Sequence, residues 1–200
     1  MKEFGTAAIL CGGKSTRMGF DKAMIKVGDK FLIDIIAEQL VPVFERIILI
    51  SNDSEKLKNV KYQCVTDIIP DLGPIGAIYT ALKNSDSRYV FVTACDMPVI
   101  NLDFIKHMMN VLAQEGGDGV ISRNGSFLEP LYAFYSVDMT DIFEEVIKEG
   151  KLRLFDVISR SNIHYVEDRK VREYSKNMDV FTNINYQNDL DRLDKFFMEE

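Results

Sequence analysis

Apolar runs and amphipathic stretches alternate along most of this chain of 200 residues. Runs rich in valine, isoleucine and threonine predict strands at 6–10, 46–50, 62–66, 89–93 and 119–122. Apolar residues at helical spacing predict helices at 32–40, 75–83 and 102–114. Strands that alternate with helices form a mainly parallel sheet with helices on its faces, so the pattern predicts an α/β fold.

The last third of the chain is predicted to continue the same sheet. An extended segment at 127–134 is followed by a helix at 137–149 and a short helix at 152–158, and no linker separates them from the rest. Asn101 is predicted to cap the helix that follows it, and Gly116 with Gly117 to end that helix. We therefore expect one domain over 1–200, with halves at about 1–100 and 101–200.

Small and acidic residues follow the predicted strands where each strand ends. Gly12 and Gly13 follow the first strand, Asp67 the third and Asp96 the fourth. Open parallel sheets bind ligands at the carboxyl ends of their strands, where the strand order reverses. We therefore expect these residues to share a site.

The segment 8–22 combines an apolar strand, two adjacent glycines and several cations. Because Gly12 and Gly13 have no Cβ, backbone N–H groups there can approach phosphate oxygens closely. Arg17 and Lys22 can neutralise the charge of a polyanion. The segment therefore predicts a cradle for a nucleoside triphosphate.

Other interpretations of this segment fit less well. A P-loop requires a glycine five residues before Gly13, where Ala8 stands. A dinucleotide-binding turn requires G-x-G-x-x-G, but Gly12 and Gly13 are adjacent and Gly19 lies too far along the chain. An ordinary turn between a strand and a helix, with scattered cations, is the structural alternative.

Asp96 ends an apolar strand, and Pro98 keeps the chain from continuing as a central strand. Mg²⁺ prefers one or two carboxylates together with phosphate oxygens and water. A carboxylate at the sheet rim, facing a cationic glycine loop, therefore predicts a Mg²⁺ site. An aspartate that caps a helix or stabilises a turn is the alternative.

The net charge of the chain limits the kinds of molecule that it is expected to bind. A formal net charge of −7 argues against a protein that relies on broad attraction to nucleic acid or to an anionic membrane. The apolar run after Met1 is too short for a signal peptide or a membrane span, so a cytoplasmic location is expected.

The cysteines are odd in number and far apart, which disfavours a disulfide framework and structural zinc. Cys11 and Cys95 follow the first and fourth predicted strands, which are expected to be neighbours in this class of fold. We expect the two to lie close together, either as small buried residues or as a pair sensitive to oxidation.

Residues 10–23 resemble the signature L-A-G-G-x-S-x-R-M-G-x-D-K-A of molybdenum cofactor guanylyltransferases of the MobA type. The segment departs from that signature at Cys11, where the family has alanine, and this change is expected to put a thiol beside the phosphates. Cys95, Asp96 and Pro98 match a C-D-x-P string in which the family's aspartate binds the metal. The resemblance implies a Rossmann-like three-layer nucleotide-diphospho-sugar transferase fold.

Two further segments resemble motifs of this family. Residues 67–78 are similar to D-x(5)-G-P-L-x-G-I, which implies that Asp67 and Gly73 lie over the guanosine. Residues 183–190 are similar to N-x-N-T-P-x-D-L, with Tyr186 and Gln187 in place of Thr-Pro. The nucleotide and metal site implied by the resemblance consists of Leu10, Cys11, Gly12, Gly13, Arg17, Lys22, Asp67, Gly73, Asp96, Asn183 and Asn185.

The resemblance implies that the chain transfers GMP from GTP to the terminal phosphate of molybdenum-molybdopterin and releases pyrophosphate. Arg17, Lys22 and Asp96 would be the catalytic residues, with Mg²⁺ on Asp96. GTP would bind to the first half of the chain and the pterin to the second, where Lys151 and Arg153 are candidates for its phosphate.

The implied partners are GTP and molybdenum-molybdopterin, with transient contacts to proteins that deliver molybdopterin or mature molybdoenzymes. The alternatives are a molybdopterin cytidylyltransferase, a sugar-1-phosphate nucleotidyltransferase, and a nucleotide-binding regulator without turnover.

Overall fold

The computed structural model describes residues 1–12, 24–57, 60–184 and 189. The strands are β1 (Lys2–Leu10), β2 (Lys26–Val27), β3 (Lys30–Phe31), β4 (Arg46–Ser51), β5 (Gln63–Thr66), β6 (Ser87–Ala94), β7 (Gly119–Asn124), β8 (Phe127–Ser136) and β9 (Ile163–Val166). The helices are α1 (Leu32–Leu40), α2 (Pro74–Lys83), α3 (Leu102–Glu115), α4 (Thr140–Lys148), α5 (Leu154–Ile158) and α6 (Asp168–Tyr174). Within these ranges, no helix is long and apolar enough to cross a lipid bilayer.

Seven strands form one sheet in the order β5-β4-β1-β6-β8-β7-β9, and β2 pairs with β3 in a separate hairpin. Strand β8 is antiparallel to both of its neighbours, and the other pairs of the large sheet are parallel. The predicted α/β fold with a mainly parallel sheet is therefore confirmed. The strand order reverses at β1, which has β4 on one side and β6 on the other.

Helices cover both faces of the sheet, so the molecule has three layers. Helices α1, α3 and α6 contribute buried residues to the apolar cluster on one face, and α2, α4 and α5 to the cluster on the other. Helix α1 shows why: Ile33, Ile36, Ala37 and Leu40 recur at helical spacing and are all fully buried. The central strands are buried on both faces, as a parallel sheet between two helical layers requires.

The predicted strands and helices are present, with shifts at their ends. The helix predicted at 137–149 begins with a 3₁₀ turn at Val137–Met139 before α4. The helix predicted at 152–158 begins at Leu154, because Arg153 has an extended backbone with φ −92° and ψ 129°. Sequence reasoning missed the β2–β3 hairpin, β9 and α6. Helix α6 has Val171 as its buried residue, so it lacks an apolar stripe.

The predicted N-cap of α3 is confirmed and gives a testable stability effect. Asn101 Oδ1 accepts a hydrogen bond from Phe104 N at 2.9 Å, and its Nδ2 donates to Tyr174 O at 2.8 Å. Asn101→Ala removes both bonds, so we expect the free energy of unfolding to fall by about 1–2 kcal/mol in urea denaturation. Asn110→Ala, an exposed site on the same helix, is the matched control. Equal effects of the two substitutions would contradict the capping role.

Candidate functional site

The ends of four parallel strands meet at one edge of the sheet, and a C-terminal segment joins them there. Backbone hydrogen bonds continue the pairing just beyond the strands. They link Asp67 N to Ser51 O (3.2 Å), Cys11 N to Ile50 O (2.7 Å), Cys95 N to Leu10 O (3.0 Å) and Ile184 N to Asp96 O (2.8 Å). The predicted polar edge is therefore held in register by main-chain bonds, which do not depend on side-chain rotamers.

Asp67 and Asp96 lie toward opposite ends of this edge. Three strand spacings separate β5 from β6, which corresponds to about 14 Å at the usual spacing between neighbouring strands. One small ring cannot reach both carboxylates, whereas an extended nucleotide can. Strand β1, which Gly12 follows, lies between β5 and β6 in the sheet.

The start of the glycine loop offers backbone to a ligand. Gly12 is exposed, and a Cβ built on it meets no atom within 4 Å. The N–H of Cys11 is already used in the bond to Ile50 O, so backbone donors for a phosphate begin at Gly12. Leu10 and Cys11 are 5% exposed, so only their backbone could line the site.

Gly13, Arg17 and Lys22 lie outside the described residues. Their roles in the cradle therefore stay predictions from the sequence.

The thiol of Cys11 does not lie where the sequence predicted it. It packs in the apolar cluster on the α1 and α3 face, 3.5 Å from Ile9 O, and Cys11 is 5% exposed. Side chains two residues apart on a strand share a face, and Ile9 belongs to that same cluster.

The expectation that the strands before Cys11 and Cys95 are neighbours is confirmed, because Leu10 pairs with Ala94. Both cysteines are 5% exposed, which favours the interpretation as small buried residues.

The backbone around Asp96 is fixed on several sides. Strand β6 ends at Ala94, and a turn closes with a hydrogen bond from Met97 N to Ala94 O at 3.0 Å. The Asp96 carbonyl accepts the bond from Ile184 N, and the residue is partly exposed. The Asp96 side chain is therefore presented at the rim from a rigid main chain. A rim carboxylate suits Mg²⁺, which completes its octahedral shell with phosphate oxygens and water.

Among the described residues, no three or more His, Cys, Asp or Glu side chains gather in a group that could hold a metal ion.

Asp67 is half-buried at the end of β5. Burial raises the pKa of its carboxyl above the usual range, and a hydrogen bond with the Thr80 hydroxyl opposes the rise. The Oδ1 atom is buried and has no hydrogen-bond partner among the described residues. An unsatisfied buried acceptor is costly, so this oxygen is suited to receive a donor from a ligand.

Gly73 lies at the start of α2, close in sequence to Asp67. Its backbone angles, φ +66° and ψ −146°, belong to a region that residues other than glycine rarely adopt. A Cβ built on Gly73 would meet no atom within 4 Å. The sharp turn there and Pro74 begin the helix, whose N-terminal N–H groups point toward the same edge of the sheet.

The segment with the paired asparagines reaches the site. The bond from Ile184 N to Asp96 O brings Asn183, which is exposed, to the rim of β6. Asn185 lies outside the described residues, so its place in the site stays a prediction. Among the described residues of the predicted nucleotide site, Asp96 and Asn183 thus lie at the rim of β6, and Asp67 lies farther along the same edge of the sheet at the end of β5.

The second half of the chain carries charged residues that are candidates for contact with the pterin. Glu129, at the start of β8, is half-buried, and burial raises its pKa while a hydrogen bond with Asn124 opposes the rise. Lys151 forms an ion pair with Glu149 at 2.7 Å.

Glu149 also accepts two bonds from Arg160, at 2.8 and 2.6 Å, and the hydrogen bonds from Arg160 and Lys151 lower its pKa to about 2. The positive charge of Lys151 is therefore partly neutralised, whereas Arg153 is exposed just before α5.

Sequence reasoning missed Thr80, which contacts the Asp67 carboxyl from the middle of α2. A threonine in an apolar helix resembles a core residue, so no sequence signal distinguishes it.

The chain is similar to known proteins over nearly its whole length. A family model described as MobA-like NTP transferase domain matches residues 7–163. The molybdenum cofactor guanylyltransferase of Syntrophotalea carbinolica is 39% identical over 190 residues, which cover 95% of this chain and 90% of that protein. The probable molybdenum cofactor guanylyltransferase of Peptoclostridium acidaminophilum is 37% identical over 204 residues, which cover 100% of this chain and 92% of that protein.

A crystal structure of molybdopterin-guanine dinucleotide biosynthesis protein A from Archaeoglobus fulgidus has the same fold. It aligns with a TM-score of 0.84 and 26% identity, covering 98% of this chain and 100% of that one.

Proposed function

The chain belongs to the MobA-like NTP transferase domain family, and we propose that it transfers GMP from GTP to the terminal phosphate of molybdenum-molybdopterin. The observation on this chain that supports the proposal most directly is the row of strand ends. It aligns Asp67, the start of the glycine loop and Asp96 along one edge of the sheet. The relatives supply the identity of the substrates, and the row supplies a place for an extended nucleotide.

In the proposed reaction an oxygen of the pterin phosphate attacks the α-phosphorus of GTP in line. The bond from the α-phosphorus to the bridging oxygen breaks, and pyrophosphate leaves. A phosphate oxygen is already an anion near neutral pH, so the chain does not have to supply a general base. Catalysis then depends on positioning and on charge stabilisation. Arg17 and Lys22 would stabilise the triphosphate, while Asp67 and Gly73 would contact the guanosine.

Enzymes of this family act on nucleoside triphosphates, and we propose Mg²⁺ as the divalent metal. The Asp96 carboxylate would hold the ion at the rim of β6, where the segment containing Asn183 meets the Asp96 backbone. When bound, Mg²⁺ would neutralise part of the charge on the phosphates and help align them.

We place the pterin along the second half of the chain, where Glu129 lies at the start of β8. Of the two basic candidates for the pterin phosphate, Arg153 fits better than Lys151, because Lys151 is already paired with Glu149. A cytoplasmic location and transient contacts with proteins that deliver molybdopterin or mature molybdoenzymes stay predictions. So does the assignment of GTP to 1–100 and of the pterin to 101–200.

A pyrophosphate-release assay tests the proposed function. We expect release from GTP with Mg²⁺ only when molybdenum-loaded molybdopterin is present, because the pterin phosphate is the attacking group. Release from CTP under the same conditions would assign the chain to cytidylyl transfer. No release from either nucleotide would overturn the proposal and favour a sugar-phosphate acceptor or a binding role.

A further inference from the structure

A buried hydroxyl links the turn after β5 to helix α2. Thr80 lies in the middle of α2 and is fully buried. Its Oγ1 accepts a hydrogen bond from Ile68 N at 3.0 Å, so the helix holds the backbone directly after Asp67. A hydrogen bond with the Thr80 hydroxyl also opposes the rise in the pKa of the Asp67 carboxyl. A threonine hydroxyl has one proton and two lone pairs, so it can accept from the backbone and donate to the carboxylate at the same time.

This use of the hydroxyl differs from the usual one inside a helix. A helical threonine commonly turns its hydroxyl back to a carbonyl in the preceding turn of its own helix. Thr80 Oγ1 instead accepts from Ile68 N, in the segment that follows β5, which leaves the hydroxyl proton for the Asp67 carboxylate. Valine has the same branched shape, so the apolar packing of α2 against the sheet does not require a hydroxyl at this position.

The hydroxyl leaves one oxygen of Asp67 for a ligand. Asp67 Oδ1 is buried and has no partner among the described residues. A nucleoside offers N–H and O–H donors for such an acceptor, whereas the phosphate chain of a nucleotide carries acceptors and negative charge. The carboxylate is therefore suited to the nucleoside part of GTP and unsuited to the triphosphate.

We propose that Thr80 is a positioning residue that holds the Asp67 carboxylate in the orientation needed to accept a hydrogen bond from the nucleoside of GTP. This inference rests on the proposed function, because it takes Asp67 as a contact of the guanosine. Thr80 acts through Asp67 and does not itself touch the substrate. Its loss should therefore weaken nucleoside binding and leave the chemical step intact.

Binding of GTP and of inorganic tripolyphosphate to the purified full chain separates the nucleoside from the phosphates. We expect Thr80→Val to raise the Kd for GTP about tenfold, the scale of one lost hydrogen bond to a charged group. The Kd for tripolyphosphate should stay unchanged. At saturating GTP, kcat for pyrophosphate release should stay within about twofold of the unmodified chain.

Two variants serve as controls. Thr80→Ser keeps the hydroxyl and should restore GTP binding to within about threefold of the unmodified chain. Thr93→Val changes the same residue type in a fully buried position of β6, where the hydroxyl has no hydrogen-bond partner among the described residues. It should leave the Kd for GTP unchanged. In an Asp67→Asn background, Thr80→Val should add no further loss, because both changes remove the same contact.

The outcomes distinguish this inference from the proposed function. If Asp67→Asn weakens GTP binding and Thr80→Val does not, the positioning role is wrong while the nucleoside contact stands. If the chain binds GTP no more tightly than tripolyphosphate, the guanosine assignment itself fails. Should Thr80→Val not fold, Thr80→Cys, whose thiol is a weak donor, must give an intermediate loss of GTP binding. Full GTP binding by the cysteine variant would overturn the inference.

Discussion

Asp96→Asn is expected to lower Mg²⁺-dependent pyrophosphate release from GTP by about a thousandfold or more. A metal ion commonly contributes several kcal/mol to the stabilisation of transition-state charge, and a thousandfold loss corresponds to about 4 kcal/mol. Asparagine keeps the shape of the side chain but removes the negative charge that attracts a divalent cation. The effect should be partly relieved by raising the Mg²⁺ concentration, so the rate is measured as a function of that concentration.

The fold should survive this substitution. The Asp96 backbone carbonyl accepts a hydrogen bond from Ile184 N at 2.8 Å, and this bond is unchanged in asparagine, which also has nearly the same size as aspartate. Asp103→Asn is the matched control, since Asp103 is an exposed residue of α3 that pairs with Lys106. It should leave turnover and its Mg²⁺ dependence unchanged. A fully active Asp96→Asn enzyme with an unaltered Mg²⁺ dependence would place the metal elsewhere.

The sequence predicted the sheet edge well because that edge depends on strand order and periodicity. Apolar runs predict β1, β4, β5 and β6. Because these strands are parallel neighbours, the residues immediately after them lie at one edge of the sheet. The approach of Ile184 to Asp96 could not be derived from periodicity, since it depends on how the chain returns after α6. Only the resemblance of the asparagine segment to a known motif suggested it.

Side-chain direction was harder to predict than backbone position. The sequence placed Cys11 beside the phosphates, but strand alternation turns its thiol into the core with Ile9. Thr80 was missed in the sequence, because it lies within an apolar helix, where its hydroxyl accepts from Ile68 N next to Asp67. In both cases the sequence does not show which atoms surround the side chain in the folded protein.

The second large effect is expected at Lys22, in the glycine-rich sequence segment 8–22. In-line attack on the α-phosphorus brings together two phosphate anions, and charge builds up on the oxygens of the phosphoryl group that is transferred. An ammonium group aimed at those oxygens stabilises the transition state more than the ground state. Lys22→Ala is therefore expected to lower kcat for pyrophosphate release by about a hundredfold or more, with a smaller change in the KM for GTP.

Two further variants test whether the positive charge of Lys22 causes the effect on kcat. Lys22→Arg keeps the positive charge but presents a planar group, so it should recover only part of the lost turnover. Lys148→Ala removes an exposed lysine of α4 that pairs with Glu144, and it should leave kcat and KM unchanged. If Lys22→Ala raises the KM for GTP and leaves kcat intact, Lys22 only binds the triphosphate. Unchanged kcat and KM would remove Lys22 from the mechanism and shift the stabilising role to Arg17.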